Sequence, residues 1–419
     1  MGGARVTVSP TLAINEAVKA RRALGHDVLH LGFGEAGVPV HPLLRETLAA
    51  GSSDASYGDV GGSRALRVAV AHYYGRRGLP TEEWQIIVGP GSKALLFALL
   101  LAVEGDLVLP QPSWVSYAPQ AALAHKRVAR VPIPAEAGGM PSPDLIEPTL
   151  ARLRASGGRP GVLLLTQPDN PTGTFAQPET VEQVLQVARA HGLTVICDEI
   201  YADLAHPGHP FTSAARLDEE NCVITGGLSK SHALGGWRIG VVRVPGTGAG
   251  RALADRLRAI ASEVWSCIPG PMEAVARVAY DEPPALAEHV ATSCRLHAQV
   301  SRAIYEALDL EAIKCRAPTA GFYLYVDLEG RRADLEERGV ATGAALAHWL
   351  LQEQGIATLP GEAFGDDVSA LRLRIATSML YGTTEAERWN ALDAAHVPDA
   401  VRQLRAVAEA AQRLASAFG

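Results

Sequence analysis

The feature that most constrains this chain is an alternation. Short aliphatic and β-branched runs, "QIIV" (85–88), "DLVL" (106–109), "VLLLT" (162–166), "TVICD" (194–198), "CVIT" (222–225) and "GVVRV" (240–244), are separated by longer Ala- and Leu-rich stretches. One such stretch, "PETVEQVLQVARAHG" (178–192), closes on Gly192, as a helix C-terminus does. A run that is apolar throughout must be buried on both faces, and strands separated by helices run in the same direction. The alternation therefore predicts an α/β domain built on a mainly parallel sheet, over about residues 45–285. After "DEPP" (281–284) the texture changes. A long helical segment, then "GFYLYVDL" (321–328), another helix and "LRLRIAT" (371–377) read as a smaller α+β domain over 286–419, completed by 1–44. A length of 419 residues suits two cores better than one.

The totals narrow the function classes. A net charge of −7 and a pI near 6.0 describe a soluble protein and give nucleic acid no basic surface to bind. Cys197, Cys222, Cys267, Cys294 and Cys315 are scattered, without a C-x-x-C pair. No metal site or disulfide framework is expected, and a reducing cytoplasm is the expected location. The start, "MGGARVTVSP", has neither the apolar segment of a signal peptide nor the Ser/Thr that myristoylation requires at position 6. The longest apolar run, "ALLFALLLAV" (94–103), is too short to cross a bilayer.

Ligands of α/β sheets bind at the carboxyl ends of the strands, and four unusual strings fall there. "VGPGSKAL" (88–95) follows a strand and opens a helix, so its glycines and Ser92–Lys93 offer free N–H groups to an anion such as phosphate. It also fits a loose G-x-G-x-x-A dinucleotide pattern, without the acidic residue expected about 20 positions on, and it fits a plain strand-to-helix turn. "TQPDNPTGT" (166–174) places Asn170 in a tight turn. "VICDEIYADL" (195–204) ends a buried strand in Asp198, with Tyr201 three residues on. A carboxylate there needs a metal, an arginine or a protonated heterocycle as partner, unless it only caps a helix. "TGGLSKSHALGGWRIG" (225–240) sets Lys230, one of five lysines in the chain, among glycines, and Arg238 eight residues later. A desolvated lysine near other cations has a lowered pKa and forms Schiff bases. A solvated surface lysine would leave the glycines unexplained. An anion cradle, an Asp for a ring nitrogen, Asn and Tyr donors, a nucleophilic Lys and a phosphate-grade Arg are together what pyridoxal 5′-phosphate requires.

The strings "P-x-N-P-T-G", "D-E-I-Y" and "S-K-x₆-W-R-x-G", in this order, resemble those of the class I/II pyridoxal-phosphate-dependent aminotransferases, and the likeness extends from "LGFGEAGVPVHP" (31–42) to "LRLRIATS" (371–378). The resemblance implies fold type I: a large domain with a mainly parallel seven-stranded sheet between helices, and a smaller α+β domain. It implies that Lys230 holds the cofactor as a Schiff base, that Asp198 pairs with the pyridine nitrogen, and that Asn170 and Tyr201 bond the phenolic oxygen. Trp114 would stack on the ring. Gly91, Ser92, Lys93 and Arg238 would hold the phosphate. Tyr57, in "SYGDVGG", would reach the phosphate of a neighbouring subunit, which implies a homodimer with shared active sites. Arg372 would bind the substrate α-carboxylate with help from the backbone of Gly34, and Trp114 and Asn170 would also face substrate.

Three positions depart from the family pattern. Gly227 stands where many relatives carry a phosphate-binding Ser, His232 where an aromatic is usual, and Arg374 where a small residue is frequent. The stretch "ASEVWSCIPG" (261–270) matches the loop that enters the partner's pocket, and it offers Trp265 and no arginine. The expected activity is amino transfer between an amino acid with a non-acidic side chain and a 2-oxo acid, by ping-pong kinetics. β- or γ-elimination, or cyclisation like that of aminocyclopropane-carboxylate synthase, would use the same residues. A dehydrogenase built on "GPGSKA" leaves Lys230, Asn170 and Asp198 without a purpose. A DNA-binding regulator on this fold would need a further segment ahead of residue 30, which is not expected here.

Overall fold

The computed structural model describes residues 8–134, 137–308 and 310–418. The reading of the extreme N-terminus falls on residues 1–7 and lies outside them.

The strands are β1 (Leu29–His30), β2 (Ile86–Gly89), β3 (Asp106–Gln111), β4 (Val128–Pro132), β5 (Pro160–Thr166), β6 (Thr194–Asp198), β7 (Cys222–Gly227), β8 (Gly240–Arg243), β9 (Lys314–Cys315), β10 (Tyr323–Asp327), β11 (Ile356–Ala357), β12 (Leu359–Pro360) and β13 (Arg372–Ala376). Seven of them form one sheet in the order β2-β8-β7-β6-β5-β3-β4. Only β8 runs against the others, pairing antiparallel with both β2 and β7. Six of the seven match the apolar runs of the sequence. The seventh, β4, sits at the sheet edge, where "VARVP" needs less apolar surface and carries Arg130.

Alternation along each strand feeds two cores. Val88, Leu163, Leu165, Val195, Cys197, Ile224 and Val241 pack on one face of the sheet. Ile87, Leu107, Val162, Leu164, Ile196, Val223 and Val242 pack on the other, against the apolar helix Ser92–Ala102. Each such side chain contributes about 1.5–3 kcal/mol by leaving water, which is why this sheet tolerates so little polarity.

A second, antiparallel sheet of order β12-β13-β10-β9 and the short parallel pair β1–β11 make up the smaller layer. The helix Pro284–Glu306 joins the two parts. Its Leu286 packs with the first core, and its Leu296, Val300 and Ile304 pack with the smaller domain's core. After β1, Phe33, Gly34 and Glu35 reach the carboxyl ends of β5, β6 and β7, where they line one cavity with Thr166, Asp198 and Lys230.

Candidate active site

A cavity of about 540 Å³ opens at those strand ends. Its walls come from both sheets and from the N-terminal segment, so folding alone brings distant parts of the chain together.

Asp198 ends β6 and is buried. Its carboxylate accepts hydrogen bonds from Tyr117 Oη at 3.0 Å and Thr225 Oγ1 at 2.9 Å, and Tyr117 Oη also lies 2.8 Å from Thr166 Oγ1. Burial pushes its pKa up to about 6, against the pull of these donors and of Lys230. Sequence reasoning missed the supporting ring of Tyr117, Thr166 and Thr225; the only signal was the place of Thr166 and Thr225 near the ends of the strands beside β6, while Tyr117 opens the helix Tyr117–Leu123.

Lys230 follows β7 in a single helical turn and is half-buried. Its Nζ donates to the carbonyl of Gly34 at 2.6 Å. Burial lowers its pKa to about 8; the Arg374 guanidinium and, more weakly, Arg238 act in the same direction, and Glu35 opposes them. Tyr201 Oη lies 2.8 Å from Tyr323 Oη. Asn170 is buried in the turn after β5.

The anion cradle sits on the open side. Gly91 has φ +87°, and a Cβ there would lie 2.3 Å from Arg238 Nη2, so only glycine lets the guanidinium come so close to the start of the helix Ser92–Ala102. Arg238 Nη1 donates to Gly235 O at 2.7 Å, and Arg238 has no carboxylate partner among the described residues. Ser92 and Lys93 line the same wall, with Lys93 Nζ 5.1 Å from the Trp114 ring centre. Ser229, which the sequence reading did not single out, lines it too.

Arg372 requires a correction. Its side chain is 38% exposed and paired with Asp327 at 2.8 Å and Asp366 at 3.1 Å, outside the cavity. Arg374 occupies the cavity instead. It is 1% exposed and donates to Asn170 Oδ1 at 3.1 Å and to Gly32 O at 2.8 Å. Its guanidinium lies between the rings of Tyr323 (4.7 Å) and Phe364 (5.0 Å), and its Nε has no partner. The physical reason is local charge. Asp327 faces Arg372 directly across β10–β13 and neutralises it, whereas Tyr325 faces Arg374. An arginine in the apolar string "RIAT" was itself a signal, because a buried cation without an acid is suited to an anionic guest.

Three other expected or unusual residues lie outside this cavity. Tyr57 is 91% exposed. Trp265 ends the helix Gly248–Val264, and its indole rests against Gly89. The two loops adjoin, since Gly58 N donates to Cys267 Sγ at 3.3 Å. His232 is buried, with Nδ1 2.9 Å from Ser231 Oγ.

The residues present fit pyridoxal phosphate. A helix N-terminus with an unpaired Arg238 suits its phosphate. A buried Asp198, held by neutral donors and lacking a paired cation, suits a protonated ring nitrogen. An amine of lowered pKa, on Lys230, suits its aldehyde.

Comparison with known proteins agrees. The family model "Aminotransferase class I and II" matches residues 27–392. An aspartate aminotransferase of Geobacillus stearothermophilus is 32% identical over 397 residues, covering 92% of this chain and 96% of the relative. One from Bacillus sp. (strain YM-2) is 30% identical, covering 89% and 93%. Among solved structures, aspartate aminotransferase from Thermus thermophilus with maleate superposes with a TM-score of 0.80 at 24% identity, covering 94% of this chain and 98% of that one. The enzyme from Thermotoga maritima gives 0.75 at 26% identity, covering 93% and 96%. Matched along most of its length, the chain belongs to the class I and II aminotransferases, enzymes that depend on pyridoxal 5′-phosphate.

Proposed function

We propose that the chain moves the amino group of a dicarboxylic amino acid, aspartate foremost, to a 2-oxo acid by double displacement. The carrying observation is that, besides Lys230 and Arg238, which the cofactor would engage, two more cations line the cavity. Arg374 lies deep and Lys93 on the open side, and neither has a carboxylate partner among the described residues. Two unpaired cations suit a substrate with two carboxylates. The named activity of the relatives and the maleate bound by one of them, a dicarboxylate, support the same reading. The expectation of a non-acidic side chain rested on the stretch 261–270, which would offer a partner's pocket Trp265 and no arginine, and it becomes the alternative outcome of the test.

Bound pyridoxal phosphate supplies a carbonyl that condenses with amines and a ring that withdraws electrons from the bonds at the amine-bearing carbon. The chain's own residues do the rest. Arg374, oriented by Asn170, holds the α-carboxylate. Asp198 keeps a proton on the ring nitrogen. Arg238 and the helix start at Ser92 hold the phosphate, and Trp114 covers the ring face. Lys230 Nζ, with its lowered pKa, takes the α-proton and passes it on. The adjoining Tyr57 and Trp265 loops, outside this cavity and on one side of the fold, support a homodimer in which each subunit reaches the other's site.

The test is kcat/KM for aspartate against leucine, phenylalanine and methionine, with 2-oxoglutarate as acceptor. Aspartate should lead, and Lys93→Ala should lower kcat/KM for aspartate about ten- to a hundredfold more than for leucine. A preference for leucine or phenylalanine would restore the non-acidic reading. Turnover without any acceptor would favour elimination or cyclisation.

A further inference from the structure

Tyr323 ties three functional groups of the cavity together. It lies on β10 of the smaller domain and is 1% exposed. Its hydroxyl is 2.8 Å from Tyr201 Oη, which belongs to the large domain, and 3.4 Å from the carbonyl of Gly34, which belongs to the N-terminal segment. That same carbonyl accepts from Lys230 Nζ at 2.6 Å. The Arg374 guanidinium sits 4.7 Å from the centre of the Tyr323 ring.

The hydroxyl carries one proton and has two acceptors within reach. A separation of 2.8 Å is a full O–H···O hydrogen bond, and 3.4 Å is a weak one. The shorter separation places the proton of Tyr323 on Tyr201. The guanidinium over the ring draws electron density from the phenol and makes Tyr323 the better donor of the two. Burial keeps both phenols protonated. Tyr201, already accepting from Tyr323, then has its own proton free to donate into the cavity, and a hydroxyl that accepts a hydrogen bond donates a stronger one.

We infer that Tyr323 is a positioning residue for Tyr201: its hydroxyl, carried by the smaller domain, donates to Tyr201 Oη and strengthens Tyr201 as a donor into the cavity. This rests on the cofactor-bound reading above, in which Tyr201 donates to an anionic oxygen of the bound group.

The experiment loads the protein with pyridoxal phosphate and follows its visible absorption against pH. A donor aimed at an oxygen anion favours the deprotonated form, so weakening that donor raises the midpoint. Tyr323→Phe keeps the ring under Arg374 and removes only the hydroxyl. It should raise the midpoint by about 0.5–1 pH unit. In a Tyr201→Phe background the same change should have no effect, because its target is gone. Thermal unfolding of all four proteins, before loading, confirms that each is folded. A shift of equal size in both backgrounds, or no shift beside an intact Tyr201, would overturn the inference. If the unaltered protein shows no visible band, the functional reading itself fails, and the inference with it.

Discussion

Arg374 Nη1 donates to Asn170 Oδ1 at 3.1 Å, joining a strand of the smaller domain to a turn of the large one. Two residues earlier on the same strand, Arg372 is occupied by Asp327 and Asp366. The first guanidinium is available to a carboxylate guest; the second already has two.

Exchanging the two arginines for alanine therefore separates them. Arg374→Ala should lower kcat/KM by at least about a hundredfold, since it removes charged hydrogen bonds to the substrate α-carboxylate and leaves Asn170 without its partner. Arg374→Lys should not rescue it, because an ammonium cannot reproduce the planar fork that reaches both Asn170 and Gly32. Arg372→Ala should stay within a few-fold of the unaltered enzyme. Steady-state kinetics decides, with unfolding midpoints to confirm that Arg374→Ala is folded. The reverse ranking would return the α-carboxylate to Arg372.

Gly227 lies at the end of β7, where strand and neighbour come unusually close. A Cβ there would sit 2.5 Å from the carbonyl oxygen of Ile239 and 3.0 Å from Cα of Gly240, both backbone atoms that cannot turn aside. Gly227→Ser would insert the hydroxyl that the family resemblance leads one to expect there. In this chain it should instead cost about 1–3 kcal/mol through forced backbone movement. Thermal unfolding without cofactor measures the cost. A serine variant of unchanged stability that holds pyridoxal phosphate more tightly would show that the β7–β8 approach has room to spare.

Much of this arrangement is written locally. A strand buried on both faces must be apolar throughout, so β2, β3, β5, β6, β7 and β8 were visible as runs, and the residues at or just past their ends, Asn170, Asp198 and Lys230, were visible as exceptions to them. β4 escaped because an edge strand can carry Arg130. Arg372 and Arg374 could not be ranked from the string "LRLRIA", because alternation puts both on one face of β13. Only the pairing of β13 with β10 reveals that Asp327 meets the first and Tyr325 the second. Tyr117 and Tyr323 were hidden for a similar reason. Each reaches the cavity from an element whose position is set by contacts far away in the chain.

His297 gives the fold a measurable dependence on acid. It is fully buried in the helix Pro284–Glu306, bonded through Nδ1 to the hydroxyl of Tyr381 and packed against Phe322, and its Nε2 has no partner. Burial, reinforced by His206, lowers its pKa from 6.5 to about 3. The folded state thus refuses a proton that the unfolded chain accepts below pH 6.5. The stability this histidine leaves intact at neutral pH is lost as pH falls through 6.5 toward 3. Between pH 7 and pH 5 the loss is about 2 kcal/mol. His30 and His289, both lowered to about 4, act in the same sense. Asp198, raised to about 6, and Asp169 and Glu199, both raised to about 7, act in the opposite sense, since the folded state holds their protons longer. The whole-protein profile is therefore a sum of opposing slopes, and the contribution of His297 is isolated by difference. His297→Asn keeps a polar atom near Tyr381 and removes the titration. Urea unfolding at pH 7 and pH 5 should show the unaltered protein losing about 2 kcal/mol more than the variant on acidification. Equal losses would mean that the folded protein protonates His297 as readily as the unfolded chain does.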